Sequence, residues 1–175
     1  MCSFILTISI EKISRSQLII ANNYLKSRGP SHTNLINFTK YNLNYGAVHN
    51  LLDISNSFIN QPIFEDLENM LLFNGEIYEP NNGIPDSLNL YQKLKENQLE
   101  NYLKAANGEF AICSLNLSQK KLSLYTDLIG TKPIYYGCNN KTICVASYAK
   151  PINILGIENV QEIKPNTKVT IDYSD

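Results

Sequence analysis

The alternation of apolar and polar positions divides the chain into short elements. Residues 3–10 alternate and are rich in β-branched side chains, so a strand begins almost at once. Ser14 with Gln17 three residues on is a capping-box signature. Leu18, Ala21, Tyr24 and Leu25 then recur at helical spacing. This predicts a helix over residues 15–27, stopped by Arg28-Gly29-Pro30. Residues 35–41 and 46–52 read as two strands joined by an Asn-rich turn. Residues 55–69 are irregular. Residues 70–73 form a short apolar strand that ends at the turn signal Asn74-Gly75. After an Asn81-Asn82-Gly83 loop, Asp86 or Ser87 caps a helix carrying Leu88, Tyr91 and Leu94, and a shorter helix holds Leu99, Tyr102 and Leu103. Strands follow at 110–117, 121–125, 134–138 and 142–146, with a tight turn at Asn139-Asn140. Residues 151–158 read as loop, and 168–171 as a final strand. Strands with a helix, then a helical pair, then a meander of strands predict a single α+β domain over 1–175, with helices packed on mainly antiparallel sheet.

Composition changes this picture little but removes several function classes. With 175 residues, 43% hydrophobic and 18% charged, the chain is long enough for one sizeable core. A formal net charge of −1 with scattered Lys and Arg gives no electrostatic footprint for nucleic acid or an anionic membrane surface. No apolar run approaches the ~20 residues of a spanning helix. The absence of a basic region ahead of an apolar one leaves the cytoplasm as the expected compartment. Cys2, Cys113, Cys138 and Cys144 show no metal-ligand spacing, and His32 and His49 are the sole histidines, so neither a metal nor another cofactor is expected. Cys138 and Cys144 flank the hairpin turn; in a reducing compartment they are expected to be free thiols.

The candidate chemistry starts at Met1-Cys2. The small Cys side chain favours removal of Met1, which leaves one residue carrying both a thiol and a free α-amine. These groups ordinarily titrate near ~8.5 and ~8, so the pair is a nucleophile with its own base. Asn74 and Gly75, at the end of an apolar strand, offer a side-chain amide and a backbone N–H, the donors an oxyanion hole needs. An ordinary Asn-Gly turn accounts for the same two residues. Asp86 is placed either to recognise an amine or to cap its helix.

Taken in order, the motifs resemble the class II glutamine amidotransferase domain, the N-terminal-nucleophile glutaminase at the front of asparagine synthetases. Met1-Cys2-Ser3 is followed by Arg28-Gly29-Pro30 and by His49-Asn50-Leu51-Leu52-Asp53-Ile54, similar to the family's H-x-R-L-S-I. Gln61-Pro62 precedes Asn74-Gly75-Glu76-Ile77-Tyr78, the family's N-G-E-I-Y unchanged, and Asp86 matches the Asp of S-D. Gly108-Glu109-Phe110-Ala111 resembles G-M-F-A. Residues 127–136, Asp-Leu-Ile-Gly-Thr-Lys-Pro-Ile-Tyr-Tyr, resemble D-x-x-G-x-K-P-L-Y-Y. Ala146-Ser147 and Ile163-Lys164-Pro165 complete the series.

The resemblance implies an αββα sandwich of the N-terminal-nucleophile hydrolase type. It implies that Cys2 attacks the amide of glutamine, that Asn74 and Gly75 hold the oxyanion, and that Arg28, Leu51, Ile54, Glu76 and Asp86 face the substrate. No cofactor is implied. The chain also departs from the family. Leu51 stands where an Arg clamps the glutamine α-carboxylate, Ser31 replaces an Asp, and Tyr148 replaces a Glu. No phosphate-cradling Gly-rich loop occurs, so a separate ATP-dependent synthetase chain is expected to receive the ammonia. Three functions follow: a glutaminase subunit; an amidohydrolase acting on an amide without an α-carboxylate; and a catalytically impaired module that binds or regulates a partner.

Overall fold

A computed structural model describes residues 1–53, 59–79 and 83–174. Ten strands and four helices occur among them, in the order β1 (Ser3–Ser9), α1 (Arg15–Asn22), β2 (His32–Lys40), β3 (Leu43–Leu51), β4 (Asn69–Ile77), α2 (Asp86–Lys95), α3 (Leu99–Ala105), β5 (Gly108–Asn116), β6 (Lys121–Thr126), β7 (Tyr135–Cys138), β8 (Thr142–Ala146), α4 (Ala149–Ile154), β9 (Val160–Glu162) and β10 (Lys168–Asp172). One sheet has the order β2-β3-β1-β8-β7-β9 and the other β10-β6-β5-β4. Every ladder between these strands is antiparallel.

Strand alternation builds the layers. On β1, Phe4, Leu6 and Ile8 meet Met70 and Leu72 of β4 and Ala111, Cys113 and Leu115 of β5 in the core between the sheets. The intervening Ile5 turns outward against Leu18, Ala21 and Leu25 of the first helical segment and Ile152 of α4. On the second sheet Leu71, Phe73 and Ile112 turn the other way, against Leu90, Tyr91 and Leu99 of α2 and α3. Two sheets packed face to face, each covered by a helix pair, make an αββα sandwich, because successive strand residues point to opposite faces and both faces here are apolar. All seven residues of β1 are buried. Burying one such Leu or Ile fully contributes roughly 1.5–3 kcal/mol.

Local signals act where expected at the start of α1. Ser14 accepts from the Gln17 N–H, and the Gln17 side chain accepts from the Ser14 N–H. Elsewhere the boundaries differ from the sequence reading. α1 stops at Asn22, and a 3-10 turn at Lys26–Arg28 carries Leu25 back to the core. Asn74-Gly75 is no turn: β4 runs through it to Ile77, paired throughout with β5. Residues 151–158 include most of α4, which Pro151 enters in its first turn. The helix after the Asn-rich loop is capped at Pro85, not at Asp86 or Ser87. Cys138 lies opposite Ile143 and Cys144 opposite Gly137, so the two thiols are out of register; all four cysteines are free.

Candidate functional site

A cavity of roughly 590 Å³ opens where the inner faces of the two sheets run out of apolar residues. Its walls continue the phase of the core. Cys2 is two residues before Phe4, Asn74 two after Leu72, and Glu109 two before Ala111; all three line the cavity. Leu51, in phase with Tyr45 and Ala47 on β3, lines it too. The site is therefore the polar extension of the same stripe that makes the core.

Cys2 is half-buried, and its Sγ accepts the Leu52 N–H at 3.4 Å. The two residues that follow Cys2 are fixed. Ser147 Oγ accepts the Phe4 N–H at 3.0 Å, and the Ser147 N–H is donated to the Phe4 carbonyl. Behind it, Ser3 Oγ donates to the Leu25 carbonyl at 3.1 Å and accepts from Asn50 at 3.0 Å. The other buried thiols, Cys113 and Cys144, are pushed well above the ordinary thiol value by burial, which keeps them protonated and inert.

Asn74 is buried, yet its Nδ2 has no partner among the described residues. An unpaired buried donor costs about 1–3 kcal/mol and calls for an explanation. The Gly75 N–H is its neighbour. Odd-numbered residues of β4 turn their backbone groups to the outer edge: Leu71 pairs with Ile63, the Phe73 N–H is donated to Gln61 Oε1 at 2.8 Å, and the Ile77 N–H to Asp86 Oδ2 at 2.9 Å. Opposite Gly75, Phe110 spends its N–H and C=O on Asp127. By the alternation of an antiparallel ladder, the Gly75 N–H also points outward, beside the cavity. Glycine is required here, since a Cβ would stand 2.0 Å from the Glu109 carbonyl oxygen.

Two side chains hold this edge. His49 reaches across the sandwich to the Phe73 carbonyl at 3.1 Å. Burial lowers its pKa to about 4, with the Phe73 hydrogen bond and the charge of His32 as lesser effects, so it is a neutral donor that braces Asn74. Gln61 takes the N–H of the same residue. Neither role was legible in the chain, because both depend on which strand becomes the sheet edge.

The remaining sequence candidates fall as follows. Asp86 is the first residue of α2 and lines the cavity while accepting from Ile77. Glu76 also lines it, exposed, directly opposite Glu109 in register. Arg28 is not part of the lining. It donates to the Cys2 carbonyl at 3.4 Å, hydrogen-bonds the Tyr148 hydroxyl and lies 4.7 Å over the Tyr148 ring. Burial lowers its pKa somewhat, against the opposing influence of Cys2. Its loop is tied to the end of β3: a Cβ at Gly29 would stand 2.3 Å from the Asn50 carbonyl, and Ser31 bonds both Leu51 and Asp53. Ile54 lies outside the described residues.

The structure adds one group that the motif spacing did not assign a role. Lys132 lines the cavity and pairs with Glu109 at 2.6 Å. Asp127 places it. Its carboxylate accepts the N–H groups of Phe110, Ile129 and Thr131 and the Thr131 hydroxyl, folding the loop that ends at Lys132. Burial raises the Asp127 pKa, but the N–H groups of Thr131, Phe110 and Ile129 outweigh it and hold the carboxyl below its usual range. Among the described residues no cluster of three or more His, Cys, Asp or Glu is arranged to hold a metal, and no helix is long and apolar enough to cross a membrane.

Comparison with known proteins places these features in context. A glutamine amidotransferase domain family model matches residues 82–153. The chain is 30% identical over 127 residues to a probable glutamine-hydrolyzing asparagine synthetase of Acanthamoeba polyphaga mimivirus, covering 65% of this chain and 23% of that protein. It is also 30% identical over 119 residues to an asparagine synthetase domain-containing protein of Saccharomyces cerevisiae, covering 65% and 22%. The chain thus spans less than a quarter of either relative. Among solved structures, glutamine phosphoribosylpyrophosphate amidotransferase of B. subtilis superposes with a TM-score of 0.74 at 16% identity, over 97% of this chain and 47% of that one. A second, an allosteric regulatory enzyme of purine biosynthesis, gives 0.73 over the same shares. At that identity the two structures speak to the fold alone, the αββα sandwich.

Proposed function

We propose that this chain is a class II glutamine amidotransferase domain, similar to the glutaminase domain of asparagine synthetases, and that it releases ammonia from glutamine through Cys2. The observation that carries the reading is the buried, unpartnered Asn74 amide lining the same cavity as Cys2. That donor has no structural use, and a developing oxyanion gives it one.

In this reading Met1 is removed and the Cys2 α-amine takes the thiol proton. The sulfur forms a bond to the amide carbon of glutamine. The carbonyl oxygen becomes an oxyanion held by Asn74 Nδ2 and the Gly75 N–H. The C–N bond then breaks, the α-amine hands its proton to the leaving nitrogen, and ammonia departs from a thioester. Water adds to the thioester at the same hole, giving glutamate and the free thiol. Asp86 and Glu76 supply negative charge for the substrate ammonium. Residues 1–175 carry this half-reaction, and an ATP-dependent synthetase activity consumes the ammonia.

A second reading rests on Leu51, an apolar wall in the cavity, which suits an amide lacking a carboxylate. Glutamate release from glutamine by the processed protein, beside Cys2→Ala, tests the first reading. Cys2-dependent release is expected. Turnover of a carboxylate-free amide with none of glutamine favours the second. No release, with no labelling of Cys2 by a glutamine-like electrophile, leaves the chain a binding module.

A further inference from the structure

We infer that Lys132 is the group that receives the carboxylate of the amino-acid substrate, so that the pocket recognises a zwitterion. The inference rests on the glutaminase reading above and names the residue that decides its substrate class.

The cavity carries both signs of charge. Asp86, Glu76 and Glu109 line it as carboxylates, and Lys132 is the one side-chain cation among the described residues that do so. A purely cationic amine would satisfy the acids and offer the Lys132 ammonium nothing beyond Glu109. A carboxylic acid alone would meet net repulsion. An α-amino acid presents an ammonium and a carboxylate on one carbon, which matches a wall with acids and one base.

Lys132 is built for the anionic half. Its side chain is only 7% exposed, and among the described residues it makes one hydrogen bond, to Glu109. An ammonium has three donors, so two are left without an acceptor among the described residues. Removing donors of a charged group from water without a partner is costly, and a ligand carboxylate is the acceptor that would offset it. Glu109 holds the chain in place on one side. On the other, Lys132 is fixed by its loop, through the Asp127 carboxylate and the following Pro133. Leu51 meanwhile gives an apolar surface for the methylenes of the side chain between the amide and the α-carbon.

The test is binding rather than turnover, so that it stands apart from the catalytic reading. L-Glutamine and 4-aminobutanamide, which keeps the amide and the amine but lacks the carboxylate, are titrated calorimetrically into Cys2→Ala protein with and without Lys132→Met. Lys132→Met is expected to weaken glutamine by about 10- to 100-fold, as for a lost hydrogen bond to a charged group, and to leave 4-aminobutanamide unchanged. Lys132→Arg should retain glutamine binding. The double variant Glu109→Gln with Lys132→Met removes both charges together, so its glutamine loss cannot be ascribed to an orphaned Glu109. Unchanged glutamine affinity in Lys132→Met, equal weakening of both ligands, or no glutamine binding to the Cys2→Ala protein would each overturn the inference. The glutaminase reading fails separately, if glutamine binds the Cys2→Ala protein yet the intact Cys2 enzyme releases no glutamate.

Discussion

Asn50 and Asn74 are two buried asparagines on either side of the head of β1, and they are used in opposite ways. Asn50 fills its whole amide. Its Oδ1 accepts from Asn22 at 3.0 Å and Thr33 at 2.9 Å, and its Nδ2 donates to Ser3 at 3.0 Å and Asn22 at 2.7 Å. That network locks Ser3, the residue after Cys2, to α1 and β2. Asn74, equally buried, leaves its Nδ2 unpartnered at the cavity wall. A fully satisfied buried amide specifies structure, whereas an unsatisfied one stores binding capacity at a cost in stability. The helix side of the first sheet thus supplies rigidity and the inner face walls the cavity, and neighbouring residues on one strand serve the two faces. Asn50 faces the helices, while His49 and Leu51 face the cavity side.

The contrast is sharpest at Cys2 itself, where Cys2→Ala should reduce glutamate release to background while Tm stays within a few degrees, measured by a coupled glutamate assay and thermal melting. Next in size, Asn74→Ala should lower kcat by about 10²–10³, some 3–4 kcal/mol of transition-state stabilisation. Because no native hydrogen bond to Nδ2 is lost, its chemical-denaturation midpoint should hold or rise. A marked fall would mean that Asn74 is structural and that the comparison with Asn50 is mistaken.

His49 provides a pH test of the brace between the sheets. Its folded-state pKa of about 4 lies below the ordinary 6.5. Between those values the unfolded chain holds more protons than the folded one. The stability this gives is therefore complete above about 6.5 and is lost as pH falls toward 4, by about 3 kcal/mol in all. Denaturation midpoints measured from pH 7.5 to 4.5 should show that loss, and it should be absent from His49→Gln.

Asn50→Leu should show the reverse of Asn74→Ala: a loss of about 1–3 kcal/mol of stability from the orphaned Asn22 and Ser3 groups, with kcat per folded molecule little changed. At the small end, the exposed pair Lys141–Glu11, 2.6 Å apart, should contribute less than about 0.5 kcal/mol, so Lys141→Ala serves as the control for both.

Much of this organisation was legible in the chain. The alternation in residues 3–10 identified β1, the Ser14–Gln17 box identified the start of α1, and the motif series identified the αββα sandwich, with Cys2, Asn74, Gly75 and Asp86 as its candidates. Local errors came where tertiary structure overrode local propensity. Asn74-Gly75 carries a turn signature, but pairing with β5 holds it in a strand, and glycine is there because the Glu109 carbonyl leaves no room for a Cβ. Arg28 belongs to a loop that the motif series places over the substrate, yet its guanidinium turns to Tyr148 and the Cys2 carbonyl.

The sequence by itself determined that Cys2 is a candidate nucleophile and that a strand follows it directly, since a small second residue and a period of two are local properties. Only the tertiary structure decided what surrounds Cys2. His49, Gln61 and Lys132 come from separate segments, and their positions depend on sheet order and on a loop folded about Asp127. Those are facts about which edges and faces meet, and no spacing within one segment encodes them.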